Sequence, residues 1–233
     1  MTGPAVAGGH SIGEYLISAR SFEEYRAMFA LGDEDLAGSV LDCPGGASSF
    51  TASARRRGTR AVAVDPVYLT SADQLAERVS AELERGHAWA TANAERYLWD
   101  FFGGLPGHQR SRAASAALFA GDRKANPGRY LPAALPHLPF AERSFDLVLS
   151  SHLLLTYADR LDAGFHLAAV REMARVSRTG VRLYPLVDQA GRPHPELVER
   201  LIGSLTADGL RVRVRDVDYE FQRGARTMLE VLR

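Results

Sequence analysis

A doubly wound α/β sheet is the fold class this sequence predicts, and three features predict it. Short, fully apolar runs of the buried-strand kind alternate with stretches of helical periodicity. The first run ends in an acid and a glycine turn, Val40-Leu41-Asp42-Cys43-Pro44-Gly45-Gly46, and a helix start follows. The last two runs, 211–221 and 227–232, are joined by Gln222-Arg223-Gly224 and read as an antiparallel pair. Five strand–helix alternations and that pair give a seven-stranded sheet whose last strand is antiparallel.

In chain order, residues 1–9 are small and read as disordered, and a short helix or turn is expected around Ile12 to Ser18. Ser21-Phe22-Glu23-Glu24 is a capping box, so a helix starts there and carries Tyr25, Met28 and Phe29 inward. Strands are expected at 39–42 and 60–64, with a helix from Ala47 to Arg57 between them that Gly58 stops. Residues 69–127 exceed a plain connection and read as a helical insertion after the second strand. It opens on the capping box Ser71-Ala72-Asp73-Gln74, has a second helix at about 110–120, and ends in the turn Asn126-Pro127-Gly128. Beyond it come a weak strand at 130–134, a buried strand at 145–150, a helix at 162–176, a strand at 180–186 and an amphipathic helix at 196–207.

The 233 residues carry no net charge and are 46% hydrophobic, which fits one globular domain spanning 1–233. A balanced charge argues against bulk attraction to nucleic acid or an anionic membrane. A single cysteine excludes an internal disulfide and a Cys-cluster metal site, the histidines lack ligand spacing, and no metal is expected. No secretory leader or membrane-length apolar run is read, so the expected location is the cytoplasm.

The glycine turn narrows the ligand. A pyrophosphate cradle needs three spaced glycines, and a P-loop needs Gly-Lys-Ser/Thr; neither follows Asp42. The second strand ends in Asp65, about 20 residues beyond the turn, where an acid binds a ribose diol. The expected ligand is therefore a nucleoside without phosphates, with the glycines allowing close backbone approach.

At these residues, and at Leu138-Pro139-Phe140-Ala141-Glu142-Arg143-Ser144-Phe145-Asp146-Leu147-Val148, the chain resembles class I S-adenosylmethionine-dependent methyltransferases of the small-molecule type. The resemblance runs from about Ile12 onward and implies a Rossmann-like sheet with S-adenosyl-L-methionine as cofactor and a small-molecule substrate. It places Asp42, Cys43, Pro44, Gly45 and Gly46 at the methionine part and Asp65, followed by Pro66, at the ribose. Pro136 and Leu138 would flank the adenine, and Ser150 would line the pocket. The family's acid-x-Gly-x-Gly-x-Gly keeps only its middle glycine here, which motivates the alternative of a non-catalytic, methyltransferase-like binding or interaction protein. A nicotinamide oxidoreductase is disfavoured by the missing glycine triad.

Other residues carry two readings each. Asp65 either binds ribose or caps its own turn. His152 is the candidate general base, or a packed imidazole. Tyr157, His166 and Tyr184 share that ambiguity. Cys43 reads as a buried small residue rather than a nucleophile. The cationic cluster Arg110, Arg112, Arg123, Lys124 and Arg129 reads as a solvated surface or as the seat of an anionic substrate. Trp89, Tyr97, Trp99 and Phe101 read as the core of the insertion rather than a substrate cage.

Overall fold

A computed structural model of the chain describes residues 15–233. The helices are α1 (Phe22–Met28), α2 (Asp33–Leu36), α3 (Phe50–Arg56), α4 (Ala72–Ala92), α5 (Leu105–Ala125), α6 (Ala163–Val176) and α7 (Pro195–Ala207). The strands are β1 (Ser39–Asp42), β2 (Arg60–Val64), β3 (Tyr130–Leu131), β4 (Phe145–Ser151), β5 (Ser177–Tyr184), β6 (Arg211–Asp216) and β7 (Thr227–Leu232). They form one sheet in the order β3-β2-β1-β4-β5-β7-β6, with β7 inserted antiparallel between β5 and β6. The remaining pairs are parallel, with Leu41 in register with both Val62 and Val148.

Strand alternation sends successive side chains to opposite faces. On one face Leu41, Val148, Leu183 and Leu229 pack under Val170, Met173 and Leu201 of α6 and α7. On the other, Val40, Leu149 and Met228 meet Phe22, Tyr25, Phe29 and Phe50 of α1 and α3 and their flanks. A third cluster, Ala63, Tyr68, Leu75, Val79, Phe119 and Tyr130, attaches α4 and α5 beside β2.

Several boundaries differ from expectation, each for a physical reason. The helix expected from Ala47 begins at Phe50, because the Ala47 and Ser49 amides donate to the Ser18 and Arg20 carbonyls instead. β3 stops at Leu131, and residues 133–135 leave the sheet to line a cleft. α5 starts at Leu105 rather than Arg110, with Pro106 in its first turn. Gly107 is tolerated there because a Cβ would lie 1.8 Å from the Phe102 carbonyl oxygen. β6 ends at Asp216, after which Val217, Tyr219 and Phe221 turn into the core.

The expectation for residues 1–9 lies outside the described residues, as does the start of the segment around Ile12. From Tyr15 to Arg20 the chain has no regular secondary structure and runs as a strap across the carboxyl ends of the strands. Tyr157 Oη accepts from the Leu16 amide at 2.8 Å, and Glu82 Oε2 accepts from the Ile17 amide at 3.2 Å.

Candidate active site

The strand order reverses between β1 and β4, the place where doubly wound sheets open a crevice at their carboxyl ends. A cleft of about 410 Å³ opens there. Its lining combines Cys43-Pro44-Gly45-Gly46 after β1, Asp65-Pro66-Val67 after β2, residues 133–135 after β3, Ser151-His152-Leu153 at the end of β4, and the strap. Cys43, Pro44, Gly45, Gly46, Asp65, Pro66 and His152, all singled out in the sequence, are thus brought together.

The two glycines line the cleft and also serve the packing of the turn. A Cβ on Gly45 would sit 2.5 Å from Tyr68 Oη and 2.8 Å from the Ala63 Cβ. Gly46 has φ +52°, and its Cβ would face the Ser18 carbonyl at 3.2 Å. Protein atoms lie where the missing side chains would be, so the absence of a Cβ lets the turn close.

Asp65 performs the capping role and still faces the cleft. Its Oδ1 accepts from the Val67 amide at 3.0 Å and its Oδ2 from the Gly46 amide at 2.9 Å. Each carboxylate oxygen keeps a second lone-pair direction for a hydroxyl. Burial raises its pKa, against the pull of those two amides.

Asp42 lies beneath the cleft rather than in its wall, 1% exposed. Its Oδ1 accepts from Tyr25 Oη at 3.0 Å, while its buried Oδ2 has no partner among the described residues. Burial, with the charge of Asp65, pushes its pKa well up. The Cys43 thiol is also pushed up by burial and by surrounding carboxylates, which suits packing and not attack.

Three expected lining residues lie elsewhere. Leu138 is a core residue whose amide donates to Glu172 Oε1. Pro136 lies just beyond the lining segment, since 133–135 face the cleft first. Ser150 points away by strand alternation, and Ser151 lines the cleft in its place.

His152 sits at φ +52°, left-handed backbone unusual for a non-glycine residue. Its amide donates to the Tyr184 carbonyl, and its Nδ1 lies 2.8 Å from Ser151 Oγ. Burial, then the nearby Arg20 and Arg112, holds its pKa well below the usual histidine value, so the ring is neutral at pH 7. Of the other ambiguous residues, Tyr157 lines the cleft. His166 bonds the Asp162 and Leu154 carbonyls, and Tyr184 donates to the Ala225 carbonyl; both are structural.

A second cavity, of about 330 Å³, adjoins the first and shares Leu16, Ile17, Ser18, His152 and Tyr157 with it. Trp89, Tyr97, His108 and Phe221 supply its aromatic wall, so two of the residues read as insertion core also face open space. Arg112 faces it too, but the rest of the cationic cluster does not: Arg123 donates to the Tyr68 and Thr70 carbonyls, Lys124 pairs with Asp73, and Arg129 with Asp122. Behind this wall Glu24 is fully buried and accepts from Arg112, Arg20, Tyr219 Oη and the Ser21 amide. Burial pushes its carboxyl up, but Arg112 and Arg20 outweigh that and hold its pKa at about 2. Sequence reading missed the strap and this cluster, because only the fold brings residues 20, 24 and 112 together.

The fold is a Rossmann-like α/β sheet with two adjoining cavities at the carboxyl ends of its strands. The model of a family described as a methyltransferase domain matches residues 110–184, from α5 to the end of β5. An uncharacterized protein of Methanocaldococcus jannaschii is 26% identical over 219 residues, covering 94% of this chain and 96% of that protein. Among solved structures, a SAM-dependent methyltransferase from Aquifex aeolicus is similar at 16% identity and TM-score 0.40, over 84% of this chain and 81% of that one. Magnesium protoporphyrin IX methyltransferase from Synechocystis, with bound S-adenosylmethionine, is similar at 13% identity and TM-score 0.47, over 91% and 90%. The family match and the sheet order bear out the resemblance to class I S-adenosylmethionine-dependent methyltransferases. The cofactor of that class is S-adenosyl-L-methionine. The cleft fits it: an apolar end at Ala133, Leu135 and Phe165, an acid at Asp65, and the glycine turn Gly45-Gly46 between them. Among the described residues no helix is long and apolar enough to cross a membrane.

Proposed function

We propose that this chain transfers a methyl group from S-adenosyl-L-methionine to a small-molecule acceptor in the cytoplasm, as one methyltransferase-like domain with a helical insertion at about 69–127. The observation that carries this reading is the pair of adjoining cavities with His152 and Tyr157 in their common wall. One is sized and lined for a nucleoside, and the other is left for an acceptor.

When bound, the cofactor supplies an electrophilic methyl on a sulfonium sulfur. Asp65 takes the ribose hydroxyls, residues 133–135 with Leu161 and Phe165 hold the base, and Cys43 to Gly46 with Ser18 hold the amino-acid end. The strap covers this end of the sheet and excludes water. Ser151 Oγ lies 3.5 Å from Met28 Sδ and can donate to it, which lets Nδ1–H of His152 donate to Ser151. In that tautomer the Nε2 lone pair is the base, and it accepts the proton that an acceptor hydroxyl or amine loses.

Calorimetric titration with S-adenosyl-L-methionine tests the reading. Binding should also stabilise the fold, by about 2.7 kcal/mol at a hundredfold excess over Kd; no heat and no shift in melting would overturn it. The non-catalytic alternative draws on the engagement of Asp65 by two backbone amides. It predicts retained cofactor affinity with no methylated product from any acceptor.

A further inference from the structure

The second cavity has a chemical character of its own. Its aromatic wall is rigidly braced: Phe221 stacks on Tyr97 at 4.7 Å and on His108 at 4.8 Å, and Trp89 Nε1 donates to Tyr97 Oη at 2.9 Å. A flat ring can lie against such a wall with little loss of side-chain freedom, because the wall is already ordered.

Its charge is also unbalanced. Arg20 and Arg112 face the cavity, and both pair with the single carboxylate of Glu24 behind them. Glu82 on the same lining is answered by Arg85, and Glu84 is exposed at the rim. Among the described residues the inner end therefore carries one surplus positive charge, which is costly away from water unless paired. Three residues of the lining each bury a polar atom without a partner among the described residues: Arg20 Nε, His108 Nδ1 and Thr156 Oγ1. Polar side chains with an unused donor or acceptor, set around an apolar cavity, can turn to satisfy a specific polar ligand group.

We propose that this cavity is the acceptor chamber and that it takes a small aromatic acid, its ring against Trp89, Tyr97 and Phe221 and its carboxylate toward Arg20. The proposal rests on the methyltransferase reading for the word acceptor, but not for the binding itself. A carboxylate supplies the missing negative charge, and its oxygens accept from the Arg20 guanidinium, where a charge-assisted bond is the strong kind. The volume sits at the low end of ligand pockets, which run from about 300 to 1,000 Å³, and so selects a small ring system.

Three probes separate charge from shape: 4-hydroxybenzoate, 4-hydroxybenzamide without the charge, and 4-hydroxycyclohexanecarboxylate without the flat ring. Each is titrated calorimetrically into the protein alone and into the protein with S-adenosylhomocysteine. The aromatic acid should bind at least tenfold more tightly than either of the others, and Arg20→Gln should bring acid and amide within about twofold. Trp89→Leu should instead erase the preference for the aromatic ring while keeping the preference for the acid. Equal binding of acid and amide, equal binding of aromatic and saturated acids, or no binding of any probe overturns the proposal. S-adenosylhomocysteine binding is read separately, so its absence beside a preserved acid preference would sink the methyltransferase reading and leave the anion site standing. Because the three-probe comparison is made on the unaltered chain, it decides the matter even if Arg20→Gln fails to fold.

Discussion

The side chains of Glu24 and Arg112, 88 positions apart, join through two parallel hydrogen bonds, one of them Nη2 to Oε1 at 2.8 Å, with the carboxylate fully buried. This pair anchors α1 to α5 and so ties the insertion to the sheet. Removing one partner leaves the other charged, buried and unanswered. Glu24→Gln should therefore cost about 3–5 kcal/mol in urea unfolding. A loss under 1 kcal/mol would show that the pair is not an anchor.

The same carboxylate sets an acid limb of stability. Its folded pKa of about 2 lies below its ordinary value of 4.5, so its contribution is complete above pH 4.5 and is lost as pH falls toward 2. Asp42 and Asp65, raised by burial, work in the opposite sense, so the informative quantity is the difference between the wild type and Glu24→Gln. That difference should shrink steadily from pH 5 downward in denaturant melts; a pH-independent gap contradicts the assignment.

Gly45 is predicted to matter for folding before it matters for ligand. In Gly45→Ala the new methyl meets Tyr68 Oη and the Ala63 Cβ well inside van der Waals contact. Overpacking of this kind costs about 1–3 kcal/mol. Thermal unfolding without any ligand should reveal the loss, and an unchanged melting point would return the glycine to a ligand-facing role.

Asp65→Asn keeps one oxygen acceptor but gives up the charge and one of the two amide bonds. Affinity for S-adenosyl-L-methionine should fall tenfold or more by calorimetry, together with a modest fall in the melting point. A fall in stability with undiminished affinity would leave Asp65 a turn cap only.

His152 should act as a base over an unusually wide pH range. Because burial and two arginines depress its pKa, kcat/KM for an acceptor should stay flat as pH drops through 6.5, where an ordinary histidine would be titrating. His152→Asn tolerates the positive φ better than most residues and should lower kcat about 10²–10⁴-fold. An activity midpoint near pH 6.5, or full activity in this variant, would remove His152 from the chemistry.

The sequence by itself determined the framework. β1, β2 and β7 begin and end where the apolar runs do, and α1 and α6 start at their capping residues Ser21 and Asp162. These signals are local: a side chain that caps its own helix or alternates along its own strand needs no distant partner. Asp65 and the glycine turn could be placed in the cleft for the same reason, since each closes a strand at the sheet's carboxyl edge. Tertiary structure alone decided what lies above that edge. The choice of Ser151 over Ser150 depended on the register of β4, and the strap, the Glu24–Arg112 pair and the surplus charge of Arg20 depended on α5 folding back over α1. Whether an arginine is solvated or left facing a cavity follows from which carboxylate reaches it in space, and sequence separation carries no record of that.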